Sequence, residues 1–167
     1  EEGRRRLEEL RELTRGALAE MRTLLLELRP AKLVEVDLAD LLRQLGEAIS
    51  GRARIPVTVH VEGNAEISAD IKVALYRVAQ EALNNIAKHA QAHNVLIQLY
   101  RTPESVRLSV SDDGTGFVFE RIAPQHLGLG IMRERADAIG ASLSVRTAPN
   151  EGTTVEVCWT GNGSDAH

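Results

Sequence analysis

Aromatic residues are scarce in this chain: two Phe, two Tyr and one Trp, 3% of 167 residues. Binding single-stranded nucleic acid by stacking needs several exposed rings, so such a surface is not expected. Charge points the same way. The 20 Lys and Arg face 24 Asp and Glu, a net charge of -4, whereas phosphate-backbone binders carry a basic excess. There is one cysteine, Cys158, so no internal disulfide can form, and this usage fits a reducing, cytoplasmic setting. No apolar run approaches the roughly 20 residues needed to cross a bilayer, so no membrane contact is expected of this chain. No signal-peptide pattern opens it either. The first residues, Glu1-Glu2-Gly3-Arg4-Arg5-Arg6, read as mid-helix with no methionine, the expectation for a piece of something longer. Histidine is missing from residues 1–59 altogether. What remains is ample for a core: 43% of residues are hydrophobic, and the length suits one domain plus an appendage.

The patterning divides accordingly. Residues 4–29 predict one long helix. Leu7, Thr14, Met21 and Leu28 recur every seven residues, with Leu10, Ala17 and Leu24 between them. That seam, broken only by polar Thr14, favours association with another helix. Pro30 should stop it, because the residue before proline disfavours helix. Asp37 is a plausible N-cap for a helix over 37–50 carrying Leu38, Leu41, Leu42 and Leu45. Val57, Val59 and Val61 alternate as in a strand over 55–62. Ser68 opens a third helix reaching about His89. Strands over 95–100 and 106–111 flank a Thr102-Pro103-Glu104 turn. A glycine-punctuated stretch, 114–130, leads to a short helix over about 131–139, capped by Gly140. Strands over 143–145 and 154–159 follow, and 161–167 predicts a polar, disordered tail. This order suits an α/β sandwich, a mixed sheet with helices on one face.

On a helical wheel with Glu81 at zero, Asn85 lies about 40° away and Lys88 about 20° to the other side. Ala74, Val78, Leu75, Ala82 and Ile86 share or flank that direction, so three polar groups sit in an apolar sector. Buried polar groups need partners. A Glu81–Lys88–Asn85 network would satisfy them; so would magnesium and phosphate, which take an oxygen acceptor, an amide oxygen and a cation. The run Asp112-Asp113-Gly114-Thr115-Gly116-Phe117 follows a strand. Alone it reads first as an ordinary Asp-Gly turn; the alternative is a carboxylate and close-approach glycines for a flat ligand with an exocyclic amine. Gly128-Leu129-Gly130 opens a helix, whose free N–H groups suit phosphate, though it lacks the third glycine of the dinucleotide fingerprint.

Taken in order, these segments resemble the nucleotide boxes of bacterial sensor histidine kinases. Glu81-Ala82-Leu83-Asn84-Asn85-Ile86-Ala87-Lys88-His89-Ala90 resembles the N box, and Asp112 to Phe117 the G1 box. His126 to Ala136 resembles the G2 box, and Gly152-Thr153-Thr154-Val155 the last glycine-threonine element. The variant is similar to the subfamily that pairs with LuxR/NarL-type response regulators and has a short lid between its glycine boxes. Upstream, Ala17 to Arg22 and Leu28-Arg29-Pro30 look like the end of its dimerisation and histidine-acceptor domain. The resemblance covers about residues 10–160.

The resemblance implies a Bergerat-type sandwich over 37–160 behind a dimerisation helix in 1–36, homodimeric through 4–29. It implies ATP and magnesium as ligands, and transfer of the γ-phosphoryl group to a histidine, then to a response-regulator aspartate. Asn85 would hold magnesium, and Glu81 would activate or position the attacking group. Lys88 and His89 would lie near the phosphates, although a histidine at a helix C-terminus is also simply stabilised by the dipole. Asp112 would accept from the adenine amine, with Gly114 and Gly116 admitting the ring. Gly128, Leu129 and Gly130 would shape the lid and offer N–H groups, and Thr153 would close the adenine side. Arg133 and Arg135 read as a solvated face. The sequence departs from the family in having no acceptor histidine before His60. It also has Asp113 where many relatives carry asparagine, from which little effect is expected. Two rivals share these motifs: a serine kinase of the anti-sigma-factor type, against which the heptad helix argues, and a nucleotide-binding module without phosphotransfer, against which Glu81 and Asn85 argue.

Overall fold

The computed structural model describes residues 2–117 and 127–161. Of the predicted tail over 161–167 only Gly161 is described, its N–H donating to Glu104 O at 2.7 Å; 162–167 and His126 lie outside the described residues. Helix α1 spans Glu2–Leu28 and ends at Arg29, whose backbone (φ −133°, ψ 77°) lies outside the helical region that a following proline disfavours. The chain then turns back into helix. Pro30 opens a short helix α2, Pro30–Glu35, because a missing N–H costs nothing in a first turn. Helix α3, Leu38–Ala53, is capped by Asp37, whose side chain accepts from Ala39 N. Arg101 Nη1 grips the same carboxylate at 2.7 Å.

Five strands form one sheet in the order β1-β2-β3-β5-β4. They are β1 Val57–Glu62, β2 Val95–Arg101, β3 Ser105–Asp112, β4 Ser142–Thr147 and β5 Thr153–Thr160. Strand β1 runs parallel to β2, and the other pairs are antiparallel. The β2–β3 hairpin closes with Thr102 N donating to Ser105 O at 2.8 Å, as its turn residues predict. Alternation assigns one sheet face to the core. The register aligns Val59, Ile97, Val110, Val155 and Val145 in one row, and Val61, Leu99, Leu108, Val157 and Leu143 in the next. Helices α3, α4 (Ala69–Asn85) and α5 (Leu127–Ala138) supply the opposing layer, with Leu41, Leu42, Leu75, Val78, Leu83 and Met132 buried. This is the expected two-layer sandwich.

Helix α1 lies along α3. Gly16, Ala19 and Leu26 are buried there, and a Cβ on Gly16 would stand 2.6 Å from Gly51 Cα, so the two backbones cross in contact. Arg15–Glu47 and Arg52–Glu20 ion pairs flank the crossing. The heptad seam takes the other side: Leu7, Leu10, Met21, Leu24 and Leu28 are all at least half exposed. Thr14, its polar break, bonds back to Leu10 O at 2.7 Å.

Candidate functional site

The next row of the inward sheet face is Val57, Val95, Asp112, Thr153 and Thr147. At Asp112 the apolar row turns polar, and there a cavity of about 440 Å³ opens between sheet and helices. That size is within the range of small-molecule sites. The α4 side contributes Ala82, Asn85, Ile86, His89 and Ala90. The sheet side contributes Val110, Asp112, Gly116, Thr153 and Val155, and α5 contributes Gly128, Leu129 and Met132.

Helix α4 begins where expected: Ser68 caps it, accepting from Ile71 N. Its end differs from the expectation. After Asn85 the chain winds as a π-helical turn, Ile86–Ala90, before Gln91 reverses it with φ 50°. Bonding to the fifth residue back widens the winding, to roughly 80° per residue. Four such steps from Asn85 bring His89 round to about the direction of Glu81, while Lys88 stops roughly 80° short. A uniform 100° step places Lys88 there instead. Accordingly His89 borders the cavity, and Lys88 is exposed and does not. No Glu81–Lys88 ion pair forms among the described residues.

Asp112 is 9% exposed. Burial, aided by the neighbouring Asp113 charge, raises its pKa above the ordinary 3.8, although Gly114 N and Thr153 N stabilise the charged form. Gly114 N donates to Oδ1 at 2.8 Å, and Thr153 N also donates to the carboxylate, which borders the cavity. A side chain at Gly114 would overlap Ala90 O, and one at Gly116 (φ 57°) would overlap Ala148 O. Both glycines therefore answer to backbone contacts as well as to access. Thr147 Oγ1 accepts from Phe117 N at 3.0 Å and lies 3.0 Å from Thr153 Oγ1, tying this loop to the last hairpin.

Helix α5 begins at Leu127, earlier than the expected 131, so Gly128, Leu129 and Gly130 form its first turn. Those N–H groups lack intrahelical partners. Gly128 abuts Glu81 Oε1 and Asn85 Nδ2, and Leu129 lines the cavity. Gly130 is exposed, with nothing within 4 Å of an added Cβ, and does not line the cavity. The predicted lid segment, 118–126, lies outside the described residues. Sequence reasoning did not assign the apolar wall of Ala82, Ile86, Ala90, Val110, Met132 and Val155. Its signal was present in the helical and strand periodicities, but these mark core and cavity lining alike.

A mixed sheet covered on one face by helices, with a cavity between the layers, is the Bergerat class of α/β sandwich. Residues 70–161 match the family described as histidine kinase-, DNA gyrase B-, and HSP90-like ATPase. The sensor protein VraS of Staphylococcus epidermidis is 33% identical over 149 residues, 89% of this chain and 42% of that protein. VraS of Staphylococcus aureus is 31% identical over 159 residues, 95% and 45% respectively. Among solved structures, ShkA in complex with AMPPNP aligns with a TM-score of 0.64 and 27% identity, over 74% of this chain and 30% of ShkA. The histidine kinase domain of the Erythrobacter litoralis EL346 blue-light activated kinase aligns at 0.55 and 26%, over 72% and 60%. The chain belongs to the histidine kinase-, DNA gyrase B- and HSP90-like ATPase family, and its domain is of the sensor-histidine-kinase kind. It spans less than half the length of the VraS proteins it matches.

Proposed function

We propose that this chain is the ATP-binding kinase domain of a sensor histidine kinase. It would transfer the γ-phosphoryl group of ATP to a histidine that this chain does not carry, for onward passage to the aspartate of a LuxR/NarL-type response regulator. One observation carries the reading: Asn85, His89, Asp112, Gly116, Gly128, Leu129 and Thr153, from four separate sequence segments, border one cavity. The Asp112 carboxylate accepts the adenine amine. Thr153 and Gly116 bound the ring, and the first turn of α5 offers N–H groups to the phosphates. Magnesium binds proteins through one or two side-chain oxygens and shares the rest of its shell with phosphate and water. The residues fit that pattern: Glu81 and Asn85 lie a turn apart, both against Gly128. Asn85, which borders the cavity, would hold the ion to neutralise phosphate charge, and Glu81, which lies beside it without bordering the cavity, would orient the attacking group. Catalysis of this kind rests on position and charge rather than on covalent steps. Neither Lys88 nor Gly130 borders the cavity.

The exposed Leu7–Leu28 seam supports a homodimer through α1, with residues 1–36 as dimerisation segment and 37–160 as catalytic domain. Titration with a fluorescent ATP analogue, with and without magnesium, tests the central reading. The absence of saturable binding at millimolar nucleotide would reject it.

A further inference from the structure

Asp113 lies one residue beyond the proposed adenine ligand, is exposed, and does not border the cavity. It is nevertheless the most heavily bonded carboxylate at this end of the sheet. Oδ1 accepts from His93 N at 2.7 Å and Asn94 N at 2.8 Å, and Oδ2 accepts from Asn94 Nδ2 at 3.0 Å. Its own N–H donates to Asn94 O at 3.4 Å. Two residues on, Thr115 N donates to Ala90 O at 2.7 Å, and Gly114 packs against the same carbonyl. Residues 113–115 therefore hold the loop 90–94 at both ends. That loop needs holding, because it reverses at Gln91, a non-glycine residue at φ 50°. Such backbone persists only where its surroundings enforce it.

The loop also decides the cavity. His89 and Ala90, the end of one wall, enter it, and Val95, paired with Asp112 on the other wall, leaves it. We infer that Asp113 is a positioning residue for nucleotide: its carboxylate clamps the loop 90–94 to the end of β3 and sets the spacing between the His89 wall and the Asp112 wall. This rests on the reading of the cavity as an ATP site. Three donors converge on one side chain, and only a carboxylate has acceptor capacity for all of them with both oxygens. The same donors, the Asn94 amide foremost, hold its pKa down to about 2, so it is charged throughout the working range.

Three chains test this: the unsubstituted protein, Asp113→Ala and Asp113→Asn. Each is measured for binding of a fluorescent ATP analogue with magnesium, and for hydrogen exchange at the His93 and Asn94 amides without nucleotide. Asp113→Ala should speed exchange at both amides and weaken the analogue about tenfold, the scale of one charged hydrogen bond. Asp113→Asn keeps an oxygen acceptor for the backbone donors and should recover binding to within about threefold. Unchanged exchange in Asp113→Ala would show that the carboxylate does not hold the loop. Faster exchange with unchanged affinity would show that the loop does not position nucleotide, and so would a loss shared in full by Asp113→Asn. If the unsubstituted chain binds no analogue, the ATP reading fails and the positioning role with it, whereas exchange still decides whether the clamp exists.

Discussion

Gly128, in the first turn of α5, lies against the carboxylate of Glu81 on α4: a methyl group there would overlap Glu81 Oε1 and come within 3.3 Å of Asn85 Nδ2. The glycine thus lets a helix N-terminus approach the two polar residues proposed to work on magnesium and the attacking group. Glu81 Oε1 is the far end of a flexible side chain, so Gly128→Ala should move the carboxylate without unfolding the domain. The expected result is a nearly unchanged melting temperature in the absence of nucleotide. Magnesium-dependent binding of the ATP analogue should weaken by about 1.5–3 kcal/mol, the scale of a lost hydrogen bond to a charged group. A titration matching the unsubstituted chain would count against this placement.

Asp112→Asn should weaken ATP binding by about 1.5–3 kcal/mol and narrow the preference for ATP over GTP, because a charged acceptor for the adenine amine is lost. Stability without nucleotide should respond in the opposite direction. The folded pKa of Asp112 is raised above 3.8, chiefly by burial, so the folded state holds the proton more tightly than the unfolded state. Its contribution is most favourable below 3.8 and is lost as pH rises through the raised value. The melting temperature of Asp112→Asn should therefore gain on the unsubstituted chain as pH rises from acid to neutral.

The adjacent Asp113 has the reverse sign. Its folded pKa is lowered to about 2 from 3.8, so its stabilising contribution is present above 3.8 and disappears as pH falls toward about 2. Melting curves of the unsubstituted chain and Asp113→Asn should differ by a constant amount above 3.8 and converge below it. A difference that widens in acid would contradict the hydrogen-bonding seen at His93 and Asn94.

The crossing of α1 and α3 leaves no room for a side chain, since an added Cβ at Gly16 meets backbone at Gly51 rather than a movable group. Gly16→Val should separate the helices and cost roughly 1–3 kcal/mol, as overpacking does. Hydrogen exchange should rise along α1 while the strands stay protected. Uniform acceleration across the sheet would mean that α1 is integral to the core.

Incubation with labelled ATP should leave no acid-labile, base-stable label on this chain alone. Transfer needs a histidine nitrogen in line with the γ-phosphorus. Residues 1–59 hold none. His60 lies on the exposed sheet face bonded to Glu62, His93 lies in the clamped loop, and His89 belongs to the cavity wall itself. Label on any of them would mean that the acceptor has been misplaced.

Much of this molecule was legible in its residues. Alternation at Val57, Val59 and Val61 fixed the inward face of β1, and the caps Asp37 and Ser68 marked two helix starts. The order of the four nucleotide boxes pointed to the family. Other features depended on contacts between distant segments. Pro30 reads as a stop, yet it opens α2. The heptad reads as a seam for another helix and stays exposed, while the contact of α1 with its own domain, at Gly16 against Gly51 of α3, lies on another face that no pattern marked. Lys88 and His89 exchange places because α4 loosens into π winding after Asn85. Asp113, noted in the sequence only as standing where many relatives carry asparagine, is bonded across the fold to His93 and Asn94. Local periodicity and turn chemistry act through neighbours within a few residues and leave their mark in the sequence. Which face finds a partner, where a helix changes its winding and which loop a carboxylate ties down are decided only when segments far apart in the chain compete for the same space.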